Sequence, residues 1–97
     1  MCYNHLMKFE YDKHKSQSNK AKHGIDFEEA KELWHNQSAI VAYEKTILEE
    51  DRFSIVGYIA NKCYTGIFTL RDLNIRIISV RRCRKNEQKR YEDANNS

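Results

Sequence analysis

Asn74-Ile75-Arg76-Ile77-Ile78-Ser79-Val80-Arg81-Arg82-Cys83-Arg84-Lys85-Asn86-Glu87-Gln88-Lys89-Arg90-Tyr91 is the stretch on which the fold turns. Its first half is rich in β-branched residues and reads as a strand; its second half reads as a short basic helix. From Arg71 to Arg90 there are eight basic residues against the acids Asp72 and Glu87, whereas the whole chain carries only +3. Positive charge is therefore concentrated on the most strand-like part of the sequence, which points to a phosphate-bearing partner.

Working back from this stretch, the period remains two. Leu73 to Arg81, Cys63 to Leu70 and Arg52 to Ala60 read as three strands of an antiparallel meander. The turns are expected at Asn61-Lys62 and in the Arg71-Asp72 region. In the strand from Arg52 to Ala60, Phe53, Ile55, Gly57 and Ile59 alternate with Arg52, Ser54, Val56 and Tyr58. Ala39 to Tyr43 is a shorter strand, and Glu44 to Asp51 reads as an acidic loop.

The N-terminal third has helical spacing. Asp26 with Glu29 forms a capping box, and Phe27, Ala30, Leu33 and Trp34 make one apolar face of a helix running to about His35. Trp34 is expected in the core. Before it, Asp12 can cap a helix that ends near His23, with Gly24 closing it. That helix is polar on nearly every side, with Ala21 its only apolar member. It is either a solvated helix or a surface for RNA or a partner. Phe9 and Tyr11 alternate with Lys8 and Glu10 as a short first strand. Residues 1–6 read as an extension, 7–92 as a single domain, and 93–97 as a fraying tail. The order β-α-α-β-β-β-β-α makes the fold α+β.

Several functions are excluded or unsupported. No apolar run approaches the roughly 20 residues of a membrane helix, and the chain opens without a signal-peptide pattern. Cys2, Cys63 and Cys83 lack paired short spacing and read as reduced thiols of a cytoplasmic protein. His5, His14, His23 and His35 are scattered, so no metal-ligand set is expected, and no glycine-rich phosphate loop implies a cofactor.

What remains is a set of arginines on strands. Arg76 sits mid-strand with Ile78 and Val80 on the same parity; Arg81 and Arg82 point to opposite faces, so at most one shares its surface. A cation among aliphatic residues is costly unless it is paired or faces water. Arg76 therefore either bonds a carboxylate such as Asp51 or Glu49, or offers its planar donors to a phosphate. Arg84, Lys85, Lys89 and Arg90, with Arg82, form a basic cluster suited to an RNA backbone. Glu87 and Tyr91 share one helix face, and Tyr91 either docks that helix or serves a base or proton. A ribonuclease working through the 2′-OH needs cations for the phosphorane and groups that move protons. Arginines meet the first need; His23, a carboxylate or Tyr91 meets the second.

These residues resemble the BrnT family of toxins from bacterial type II toxin–antitoxin systems. The resemblance lies in Phe9-Glu10-Tyr11-Asp12, Lys15, Ser18-Asn19 and Lys22 to Ala30; in Arg52-Phe53 and Ile55-Val56-Gly57; and in Asn74 to Arg82, Arg84-Lys85, Glu87 and Tyr91-Glu92. It departs from the family pattern at Tyr11, where Trp is common, at Lys13, where Pro often opens the helix, and at Cys83, a small-residue position suited to capping the last helix. The resemblance implies a RelE-like antiparallel sheet with two N-terminal helices and a short basic C-terminal helix. It also implies a metal-independent endoribonuclease that inhibits translation. A BrnA-like ribbon-helix-helix antitoxin would neutralise it in a heterotetramer and contact promoter DNA. Arg52, Arg76, Arg81 and Tyr91, with His23 in addition, are the catalytic candidates it carries over. A non-catalytic nucleic-acid-binding module and a partner-docking protein using the same basic face are the alternatives.

Overall fold

A computed structural model describes residues 8–96, so the expected extension at 1–6 lies outside the described residues. The elements are β1 (Phe9–Glu10), α1 (Lys13–His23), α2 (Phe27–Ala30), α3 (Glu32–His35), β2 (Ile40–Ile47), β3 (Glu50–Ile59), β4 (Lys62–Arg71), β5 (Asn74–Arg82) and α4 (Lys85–Asn95). The class is α+β as expected. The sheet is mixed rather than wholly antiparallel. Its order is β1-β5-β4-β3-β2, and β1 joins β5 in parallel through Phe9 opposite Ile75 and Glu10 opposite Arg76.

Local chemistry sets the boundaries. The Asp12 carboxylate accepts from the N–H groups of His14 (2.8 Å) and Lys15 (3.2 Å), and Gly24 closes α1 in the left-handed region at φ 77°. Asp26 and Glu29 make the expected capping box. The second helix is not continuous. Around Lys31 the hydrogen bonds become one residue shorter, Lys31 N–H to the Glu28 carbonyl and Trp34 N–H to the Lys31 carbonyl, dividing it into α2 and α3.

The acidic stretch is not a loop. β2 and β3 run on to a two-residue turn at Leu48-Glu49, and matching turns fall at Ala60-Asn61 and Asp72-Leu73, each one residue from expectation or further. All six turn residues have positive φ, between 50° and 71°, the arrangement that matches the twist of paired strands. None is a glycine, which is why sequence signals placed them poorly.

α1, α2 and α3 cover one face of the sheet. Phe27, Ala30, Leu33 and Trp34 pack there with Ile55, Tyr64, Phe68, Ile75, Ile77 and Val80. Trp34 meets Phe9 and Phe68 edge to face, at ring separations of 5.6 and 5.4 Å. α1 docks differently, through buried Asn19 and Ser16. The Asn19 amide donates to the carbonyls of Ile25 and Val80 (both 2.8 Å) and accepts from Val80 N–H (3.1 Å). Ser16 Oγ accepts from Phe27 N–H at 2.9 Å. A helix without an apolar stripe is thus held by satisfied polar groups.

Two cysteines are not free thiols. β4 and β5 are antiparallel neighbours with Tyr64 opposite Arg82, so Cys63 and Cys83 face one another, Cα atoms 5.4 Å apart, and are joined in a disulfide. Twenty residues of sequence separation concealed this pairing. Consequently Cys83 does not cap α4: Glu87 reaches back to Arg84 N–H at 2.8 Å instead. α4 continues to Asn95, well into the expected tail. No helix among the described residues is long and apolar enough to cross a membrane.

Candidate RNA-binding face

The face of the sheet opposite α1–α3 collects the strand arginines. Cross-strand register puts Glu10, Arg76, Thr69 and Arg52 in one row across β1, β5, β4 and β3. Ser79, Ile67 and Ser54 form the next row, and Arg81, Thr65 and Val56 the one beyond it.

The rows depend on a bulge. Between Ile67 and Phe68 of β4 the register with β5 shifts, Ile67 facing Ser79 and Phe68 facing Ile77. Ile78 is the extra residue. Uniform alternation fails at this point: Val80 turns into the core, fully buried, and does not share the side of Arg76. Arg81 takes that side instead. Arg82 points the other way, its guanidinium 5.7 Å from the Tyr64 ring and its Nε donating to the Cys63 carbonyl.

Three of the arginines here are already engaged. Arg71 Nε lies 2.7 Å from Glu50, and Arg76 Nη1 lies 3.3 Å from Glu10. The carboxylate partner of Arg76 is thus neither Asp51 nor Glu49 but a residue of the parallel edge strand. Arg81 makes two short bonds to Glu87, of 2.7 and 2.8 Å. Glu87 also accepts from Thr65 (3.0 Å) and Arg84 N–H. Its bonds to Arg81 are the main reason its carboxyl is lowered from 4.5 to about 2. The same bonds raise Arg81. Hence Arg81 anchors α4.

Arg52 differs. It makes no ion pair among the described residues, and its Nε is shielded from solvent without an acceptor. It lies near the other cations: Glu50 is lowered chiefly by its hydrogen bond to Arg71, with Arg52 and Arg76 adding their fields. A half-buried guanidinium lacking an acceptor is suited to an oxyanion brought by a ligand.

The proton-handling candidates separate. Tyr91 packs on Tyr58 at a ring separation of 5.2 Å, which docks α4 on β3. His23 ends α1 and lines a groove with Ile78 and Ser79, at the margin of the sheet rather than in the arginine rows. Besides Glu50 and Glu87, which hold Arg71 and Arg81, the carboxylates on this side include Glu10 and Glu44; Glu44 accepts from Ser54 Oγ at 2.7 Å and its charge is felt at Arg81. Sequence reasoning passed over both. The alternation of Glu10 with Phe9 was a signal for the first, whereas Glu44 acts through a bulge of β2 between Tyr43 and Lys45 that no local signal marks. Of the basic cluster on α4, Lys89 pairs with Asp93 at 3.1 Å, and Arg84, Lys85 and Arg90 have no ion pair among the described residues. No group of three or more metal-binding side chains occurs among the described residues.

No curated protein matches the chain. A family model does, described as the ribonuclease toxin BrnT of type II toxin–antitoxin systems, over residues 11–87. That span takes in α1 to β5 with the start of α4, and within it Arg52, Arg76, Arg81 and Glu87. The chain belongs to the BrnT family of ribonuclease toxins.

Proposed function

We propose that the protein is a metal-independent endoribonuclease whose catalytic surface is the open sheet face centred on Arg52 and Arg76. The observation that carries this reading is the row Glu10–Arg76–Thr69–Arg52, in which Arg52 has no acceptor among the described residues. In the reaction the 2′-oxygen attacks the neighbouring phosphorus as its proton passes to a base, and the 5′-oxygen leaves with a proton. The products are a 2′,3′-cyclic phosphate and a free 5′-OH. Arg52 binds the phosphate, and Arg76 turns from Glu10 to share the charge that develops on it. Glu44 or Glu10, freed of its partner, takes the proton from the 2′-OH, and a water molecule supplies the one that leaves with the 5′-oxygen. Arg81 holds α4 beside the substrate, and Arg84, Lys85 and Arg90 attract the RNA backbone.

Membership of a toxin–antitoxin family supports an antitoxin as partner and RNA as target. We assign a BrnA-like ribbon-helix-helix antitoxin that neutralises the protein as a heterotetramer, and translation in the cytoplasm as the process inhibited.

The test is incubation of the purified protein with end-labelled RNA in EDTA, beside Arg52→Ala and Arg76→Ala. Wild type should leave cyclic phosphate ends, and each variant should lose about 10²- to 10³-fold in rate, as expected when one donor to a developing oxyanion is removed. Full activity in both variants would overturn the assignment. RNA that is bound but left intact would make the face a binding module.

A further inference from the structure

The groove at the margin of the sheet is not used by the reaction above. It holds about 200 Å³ and lies between α1 and the bulged part of β5. Its construction follows from three features. β1 pairs with β5 only as far as Glu10 opposite Arg76, so the edge of β5 beyond Arg76 has no neighbouring strand among the described residues. Asn19 satisfies that edge at Val80, which seats α1 alongside it. Ile78, extruded by the bulge, and Ser79 then form the floor and one wall.

The other wall comes from α1. Lys15, Ser18, Asn19 and Lys22 recur at intervals of three and four, so the stripe facing β5 is polar where an ordinary surface helix is apolar. Asn19 supplies the docking, and the side chains of Lys15, Ser18, Lys22 and the terminal His23 have no hydrogen bond or ion pair among the described residues. α1 carries four lysines and no carboxylate within its span. Among the described residues Lys20 is bound to Glu29, whereas Lys15 and Lys22 have no ion pair. Two unpaired ammonium groups two turns apart, with the hydroxyls of Ser18 and Ser79 lining the same groove, suit phosphates along an extended strand. Ser79 also belongs to the middle row of the open face, so the groove adjoins that face at this residue.

We infer that this groove is a backbone subsite for single-stranded RNA, gripping the strand on one side of the bond cleaved at the open face. The inference rests on the ribonuclease reading for its ligand, but its own determinants are Lys15 and Lys22. An A-form duplex presents a stiff, wide cylinder, whereas a single strand can follow the turn from the sheet face around Ser79.

The probe is a fully 2′-O-methylated single-stranded RNA of about ten nucleotides, which lacks the attacking hydroxyl and so reports binding alone. The double variant Lys15→Ala/Lys22→Ala should bind it at least about tenfold more weakly in moderate salt, with a log–log salt slope shallower by about 1.4, two phosphate contacts' worth. Lys15→Arg/Lys22→Arg should bind like wild type. Cleavage of a dinucleotide, too short to enter the groove, should be unchanged in the alanine double variant but lost in Arg76→Ala. Unchanged affinity and slope in the alanine variant would overturn the subsite while leaving the ribonuclease reading standing. Lysine-dependent binding by a wild type that cleaves no RNA would do the reverse. A wild type that does not bind the probe, or a loss equally large on duplex DNA of the same length, would overturn a single-stranded RNA site.

Discussion

At the residue scale, the arginines of the open face are separated by what their neighbours already hold. Arg81 and Glu87 are partly buried, with 25% and 13% of their side chains exposed, and two hydrogen bonds fix them. Removing one partner of such a pair strands the other. Glu87→Gln should therefore cost about 1–3 kcal/mol, read from denaturant midpoints at neutral pH, because charge-assisted bonds are exchanged for weaker neutral ones. The pH dependence has a defined sign. Glu87 has a depressed carboxyl, lowered from 4.5 to about 2, so its contribution is complete above pH 4.5 and is lost as pH falls towards 2. The wild-type advantage over Glu87→Gln should shrink across that window. An advantage that persists undiminished at pH 2 would show that the charge on Glu87 is not its source.

At the element scale, α1 shows how a helix without hydrophobic periodicity can still be placed. Its anchor is Asn19, 6% exposed, whose amide serves Ile25 and both backbone groups of Val80. Replacement by Leu would keep comparable bulk but leave those buried backbone groups unpaired. Asn19→Leu should lower stability by about 2–4 kcal/mol. Hydrogen exchange should also quicken at Val80 N–H, which loses its acceptor, more than at amides of β3. A change confined to global stability, with Val80 as protected as before, would argue against Asn19 as the element that closes the edge of β5.

At the scale of the whole molecule, α1 to α3 form one helical layer over the sheet, and α4 packs on part of the other side, beside the arginine rows. The close approach of the layers is set at Gly66. A Cβ there would stand 3.2 Å from Trp34 Cη2, 3.3 Å from Ile55 Cγ2 and 3.3 Å from Leu33 Cδ1. All three neighbours are buried and have little room to yield. Gly66→Ala should destabilise by about 1–3 kcal/mol through overpacking, with a shift in Trp34 fluorescence, while the arginine rows on the far side keep their register. Unaltered stability would mean that the layers are looser than these distances imply.

The sequence alone determined what depends on neighbours in the chain. Capping at Asp12 and Asp26, closure at Gly24, the apolar face of Phe27 to Trp34 and the alternation along Arg52 to Ile59 all arise from contacts within a few residues. Those local signals established the α+β class and the concentration of basic charge on β5 and α4, but not the division of the second helix into α2 and α3. Tertiary structure alone decided what depends on register between distant strands. The Ile78 bulge exchanged Arg82 for Arg81 beside Arg76, the parallel pairing of β1 gave Arg76 its carboxylate Glu10, and antiparallel β4 and β5 brought Cys63 to Cys83. A shift of one residue in a strand reverses every side chain beyond it, and nothing within a few residues marks where the shift falls.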